Sequence, residues 1–176
     1  MLAPKSFTQS VSEEAYVQAY HTAQAKIGVL RFTAPLMLAT AALGLGGSFT
    51  IYNGGGQLAY TVTGIAMLIV SSLLAVWMLA APKITEKQAK IAYATFCELS
   101  DPSQVTFTSD EMTLQGTKLT RRVEYAKTRV CIETAQRFVI ITDDNAMVIL
   151  EKEAFTDAEG TVDFLRDVFA RWYTKK

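Results

Sequence analysis

The chain has 176 residues, with seventeen basic and seventeen acidic side chains and a formal net charge of zero. Such a balance excludes general nucleic-acid binding, which needs an excess of lysine and arginine to displace phosphate counterions. Its two cysteines, Cys97 and Cys131, and its one histidine, His21, form no CxxC or His–Cys cluster, so neither a metal site nor a cofactor is expected.

Residues 5–11 suit a short strand. Ser10 followed by Glu13 has capping-box spacing and predicts a helix that begins near Ser12 and runs from Glu13 towards Arg31. Tyr16, Tyr20, Ile27 and Leu30 fall near one face of it. That is the pattern of an amphipathic helix lying on a membrane or leading into one, with tyrosines at headgroup level. His21 on this helix reads as a packed or exposed histidine, because no partner cluster marks a proton switch. The first apolar run starts after residue 31, so no cleaved signal peptide is expected.

Residues 32–82 contain no Asp, Glu, Lys or Arg in fifty-one positions. A bilayer crossing needs roughly 20 apolar residues, so this run is long enough for two. Asn53-Gly54-Gly55-Gly56-Gln57 in its middle is a turn signal. The prediction is a helical hairpin with spans at 32–52 and 58–81, because a helix satisfies its own backbone in hydrocarbon. Thr40/Gly44, Ala42/Gly46, Ala59/Thr63 and Ser71/Ala75 are small pairs that let helices approach closely, within the hairpin or between chains. Nothing ionisable lies inside the run, which argues against a proton relay or ion path. Lys26 and Arg31 precede it, Trp77 lies near its end, and Lys83, Lys87 and Lys90 follow. These are expected membrane-surface anchors, and the positive-inside rule puts both termini in the cytoplasm.

Residues 83–102 predict a stalk helix, from Ile84 to about Leu99, ended by Asp101-Pro102. From Gln104 the apolar period changes to two. Val105/Phe107, Met112/Leu114, Leu119/Val123/Tyr125, Val130/Ile132, Phe138/Ile140/Thr142 and the run 146–150 give six short strands in an antiparallel meander. A final helix is predicted from Asp157 to Tyr173, with Val162, Leu165, Val168, Phe169, Trp172 and Tyr173 as its apolar stripe. Residues 103–176 would then form an α+β domain, a curved sheet or partial barrel covered by a helix, in the outline of a pleckstrin-homology-like (PH-like) domain.

The order of parts resembles the YcxB-like proteins of bacteria: a short strand and helix, a two-helix membrane hairpin, then a small β-domain ending in a helix. The local likeness is in Tyr125, Val130/Ile132, Phe138-Val139-Ile140-Ile141 and Val148-Ile149-Leu150-Glu151-Lys152-Glu153-Ala154-Phe155. Family members often carry Trp where Tyr125 stands and Pro where Leu150 or Glu151 stands. The resemblance implies a bacterial membrane protein with a PH-like cytoplasmic domain; it does not imply an activity.

No GxSxG, P-loop or GxGxxG pattern occurs, and a non-enzymatic protein is expected. The most suggestive group is Lys118, Arg121, Arg122, Lys127 and Arg129, which suits anionic lipid headgroups or a protein partner, or an ordinary charged sheet edge. Glu124 and Glu133 dilute its field. Strict alternation places Arg121 on the apolar face, which calls for a bulge, a buried acid or a ligand groove. The acids Asp143, Asp144, Glu151, Glu153, Asp157 and Glu159 suit a helix N-terminus, with a metal site as the sharper alternative. Two functions follow: a membrane protein whose cytoplasmic domain binds a lipid or protein, or an immunity protein that neutralises a bacterial toxin at the membrane.

Overall fold

The computed structural model describes residues 6–95, 101–117 and 120–175. Cys97, Lys118, Leu119 and the end of the predicted stalk lie outside the described residues. Contacts divide the chain into two units: one made of the chain up to Ala23 and from Gln88 onwards, the other Gln24–Lys87.

In the first unit, β1 (Ser6–Gln9) pairs antiparallel with β2 (Ser103–Phe107), far along the sequence, with Phe7 opposite Val105. β3 (Glu111–Gln115) and β4 (Thr120–Glu124) complete a four-stranded sheet in the order β1-β2-β3-β4. β5 (Thr128–Glu133), β6 (Arg137–Thr142), β7 (Met147–Glu151) and β8 (Tyr173–Lys175) form a second, ordered β7-β6-β5-β8. The predicted strands are therefore present, divided between two sheets. Tyr125 stands in the 3-10 turn Tyr125–Lys127 that separates them, not in β4. Alternation turns Phe7, Val105, Phe107, Met112 and Val123 into a core shared with Cys131, Phe138, Ile140, Val148 and Leu150. Leu165, from helix α4 (Ala158–Val168), and Phe169 just beyond it complete that core.

Helix α1 (Glu13–Ile27) is capped by Ser12, not Ser10: Ser12 Oγ accepts from the Ala15 N–H at 3.2 Å. Its buried residues are Ala15, Tyr16, Ala19 and Ala23. Tyr16 packs on Tyr93 with ring centroids 5.7 Å apart, so it is core rather than headgroup-level. The alanines explain the difference, since they let the helix approach closely on a face that a count of large side chains misses.

The final helix is shorter than predicted. It ends at Val168, and Tyr173–Lys175 turns back as β8, parallel to β5, with Cys131 N–H donating to Trp172 O at 2.9 Å. Trp172 and Tyr173 still pack against the core, so their apolar spacing suits helix or strand equally.

The second unit holds helix α2 (Thr33–Asn53) and most of helix α3 (Leu58–Thr95). Both are long and apolar enough to span a membrane, with mean hydropathies of 1.5 and 2.3 over their most apolar 18 residues. Only 6% and 11% of their most apolar windows are buried, whereas a soluble core helix would be mostly covered. α3 runs through Pro82 without ending there, so the second span and the stalk are one helix. One missing N–H is too little to stop it when Glu86, Lys87, Ala89, Lys90, Ala92 and Ala94 continue with strong helix formers.

The connecting turn is the predicted one, and Gly55 and Gly56 have φ of +56° and +80°, which favour glycine. Ser71 Oγ donates to Thr40 O at 2.9 Å across the hairpin. The helices approach closely at Gly47 and Gly64, where a Cβ on Gly64 would lie 2.7 Å from the Gly47 carbonyl oxygen and closer still to Ile51 Cγ1. Gly64→Leu should therefore force the helices apart at a cost of about 1–3 kcal/mol. It should lower the melting temperature in detergent, while the exposed-site change Ile65→Leu should not. Equal melting of Gly64→Leu and the parent would contradict this packing.

Candidate functional site

The basic residues of β4 and β5 divide between faces. β4 is in unbroken register with β3, so Arg121 does share the face of Val123, opposite Leu114, and no bulge re-aims it. It is half-buried, and its guanidinium donates to the Met147 carbonyl on β7 at 3.4 Å. Arg122 points the other way, exposed, in a row across the sheet with Thr113, Thr106 and Ser6. Lys127 pairs with Glu124 at 2.7 Å, and Arg129 donates to Asn145 Oδ1 at 3.0 Å. Lys118 lies outside the described residues. Among the described residues, Arg122, Lys127 and Arg129 are the exposed cations of the group.

Of the residues expected to be membrane-surface anchors, Lys26 is exposed in the last turn of α1, and Lys83, Lys87 and Lys90 are exposed along α3. Arg31 lies in the 3-10 turn Val29–Phe32, its Cζ 5.9 Å from the Phe32 ring centroid. Trp77 is 39% exposed.

Three arrangements went unmarked in the sequence. Gln9, buried on β1, lies against the outer edge of β7. Its Nε2 donates to Ile149 O at 2.7 Å and its Oε1 accepts from Glu151 N–H at 3.0 Å. One side-chain amide thus supplies the donor and acceptor that a neighbouring strand would give.

Arg137, buried at the start of β6, donates to Ala15 O in α1 and to Gln136 Oε1 at 3.1 Å, and lies 3.4 Å from Glu151. It lines a polar cleft of about 140 Å³ with Gln18, Thr22, Thr134, Ala135 and Gln136.

The third centres on Glu133 at the end of β5, whose side chain is 3% exposed. It accepts from Lys152 Nζ at 2.6 Å, from Arg166 Nε and Nη2 both at 2.9 Å, and from the Tyr173 hydroxyl. Lys152 also donates to Thr134 O at 2.7 Å. This carboxylate joins β5, α4 and β8, and does not dilute the basic group as expected; Glu124 does. Burial alone would raise the Glu133 pKa, but the Arg166 guanidinium, Lys152 and Tyr173 hold it at about 2 rather than the ordinary 4.5.

The acidic residues take separate local roles. Asp157 caps α4 through Gly160 N–H at 3.1 Å, and Asp144 accepts from Thr142 Oγ1 and, at 3.3 Å, from Ala146 N–H. Among the described residues no three His, Cys, Asp or Glu side chains gather as a metal site would require. Cys131 is buried, and burial, with the nearby Glu133 charge, pushes its thiol up to about 12, the opposite of nucleophile activation. No family model, curated protein or solved structure matches the chain.

Because folding lowers the Glu133 pKa, its stabilisation is present above the ordinary carboxyl range and is lost as pH falls from about 4.5 towards 2. Glu133→Gln should cost about 2–3 kcal/mol at pH 7, below the range for a wholly buried pair because Arg166 and Lys152 keep part of their side chains in water. Urea unfolding in detergent should show the gap between parent and variant shrinking through that acid window. A gap that stays constant to pH 2 would contradict the role given to this charge.

Proposed function

We propose that the chain is a two-span integral membrane protein whose β-domain lies at the cytoplasmic face and serves as a non-enzymatic binding module for a protein or lipid. The observation that carries this reading is the position of the hairpin within the β-domain's own sequence. β1 precedes α2 and pairs with β2, which follows α3. If both helices cross a bilayer, β1 and β2 end on one side of it, and the domain is held there by two chain connections. Exposed Leu38, Leu45, Phe49, Leu73 and Leu79 along the helices suit hydrocarbon.

Lys26 and Arg31 before the spans and Lys83, Lys87 and Lys90 after them, with an uncharged turn between, favour the cytoplasmic side for the domain. Two sheets, antiparallel except for the parallel β5–β8 pair, with helix α4 packed into their shared core support a PH-like reading and, with the hairpin, the resemblance to YcxB-like proteins. β8 and the contribution of β1 from before the hairpin are departures from the domain predicted at 103–176. A fragment beginning at residue 83 would lack β1 and Gln9, so the full chain is the unit to study.

A photo-crosslinking residue placed at Arg122 or Arg129 in the full-length protein tests the binding role in whole cells. Irradiation should yield one discrete protein or lipid adduct by mass spectrometry, absent when the residue is placed at the exposed Tyr52 near the turn. Adducts no different from those at Tyr52 would count against a binding surface on the β-domain.

A further inference from the structure

In the unit Gln24–Lys87, Ile27, Gly28, Phe32, Pro35, Leu36 and Trp77 line an open groove of about 720 Å³. Its volume is within the range of small-ligand sites, about 300–1,000 Å³. It arises where α1 stops at Ile27 and the turn Val29–Phe32 offsets the chain before α2 begins. Apart from backbone and the Trp77 indole N–H, its lining offers no hydrogen-bonding group, so nothing there would fix a peptide or a polar metabolite.

The rim is different. The guanidinium of exposed Arg31 lies 5.9 Å from the ring centroid of Phe32, a lining residue, and exposed Lys26 adjoins Ile27, another. The only acid in this unit is Glu86, nine residues beyond Trp77 on α3, about 13 Å of helix rise. An apolar trough with cations beside two of its lining residues matches one class of occupant: an apolar chain with an anionic head.

We propose that this groove holds an acyl chain of one anionic phospholipid, with its phosphate met by Arg31 and Lys26. The proposal rests on the two-span membrane reading and goes further by assigning a single lipid to a built site. Trp77 on the groove wall reports occupancy directly. The cations outside the groove, Lys83 and Lys87, take part only in the diffuse attraction of the surface.

The test uses the full chain in detergent micelles, titrated with phosphatidylglycerol or phosphatidylcholine carrying brominated acyl chains. Tryptophan quenching is corrected with Trp77→Phe, which leaves Trp172 as the only tryptophan. Phosphatidylglycerol should quench Trp77 at lower mole fraction than phosphatidylcholine. Arg31→Gln, at an exposed position, should weaken that preference about fivefold, the effect of one cation near an anionic lipid, and Arg31→Lys should retain most of it. Lys83→Gln/Lys87→Gln should leave it unchanged. Equal quenching by both lipids would overturn the site while leaving the membrane reading intact. Quenching by neither would overturn both. A preference that survives Arg31→Gln and disappears with Lys83→Gln/Lys87→Gln would overturn the groove assignment in favour of diffuse attraction.

Discussion

The fold depends on the pairing of β1 with β2 across the hairpin. A strand of four residues brings Phe7 into the core and Gln9 to the free edge of β7. Without it β2 would present an open ladder, and the Ile149 carbonyl and Glu151 N–H would be left without their side-chain partner, at about 1–3 kcal/mol for each buried group. Phe7 and Val105 are nearly a hundred residues apart, yet the closure is less demanding than that separation implies. The antiparallel helices bring the two flanks together, so the effective loop is far shorter than the chain between them.

The Glu133 network does related work at the other end of the domain. β8 has three residues and touches the sheet through β5 alone. A strand so short needs help, and Tyr173 and Arg166 give it by converging on one buried carboxylate. Lys152 brings the segment after β7 to the same point. Arg137 makes the matching link to α1 through the Ala15 carbonyl. The pieces from before and after the hairpin are thus joined by β pairing, by Gln9 and by Arg137 into one unit, from which Arg122 and Arg129 face solvent.

Much of this was legible in the residues. The charge-free run 32–82 and its glycine turn give the two helices, because charge and glycine act locally. Period-two alternation gives β2 to β7 for the same reason. What was hidden depends on long-range partners. Gln9 looks like any polar strand residue until β7 is beside it. Glu133, Lys152 and Arg166 are three ordinary charges among thirty-four until tertiary structure converges them. Pro82 suggests a helix end by local rule, yet the surrounding helix formers override it. Trp172 and Tyr173 satisfy a helical stripe and a core-facing strand alike. For the basic group, alternation rightly assigned Arg121 to the face of Val123, but its partner, a main-chain carbonyl on β7, carries no side-chain signature.

The central claim is that a membrane hairpin is inserted into a split β-domain, so that both halves of the domain share one side of the bilayer. Thiol accessibility tests it most directly. In a chain with Cys97 and Cys131 replaced by alanine, single cysteines at Thr8, Gln57 and Arg122 would be treated with a membrane-impermeant maleimide in intact spheroplasts and in inverted vesicles. The account predicts that Gln57→Cys is labelled only in spheroplasts, and that Thr8→Cys and Arg122→Cys are both labelled only in inverted vesicles. Labelling of Thr8→Cys and Arg122→Cys from opposite sides, or of all three from the same side, would contradict it.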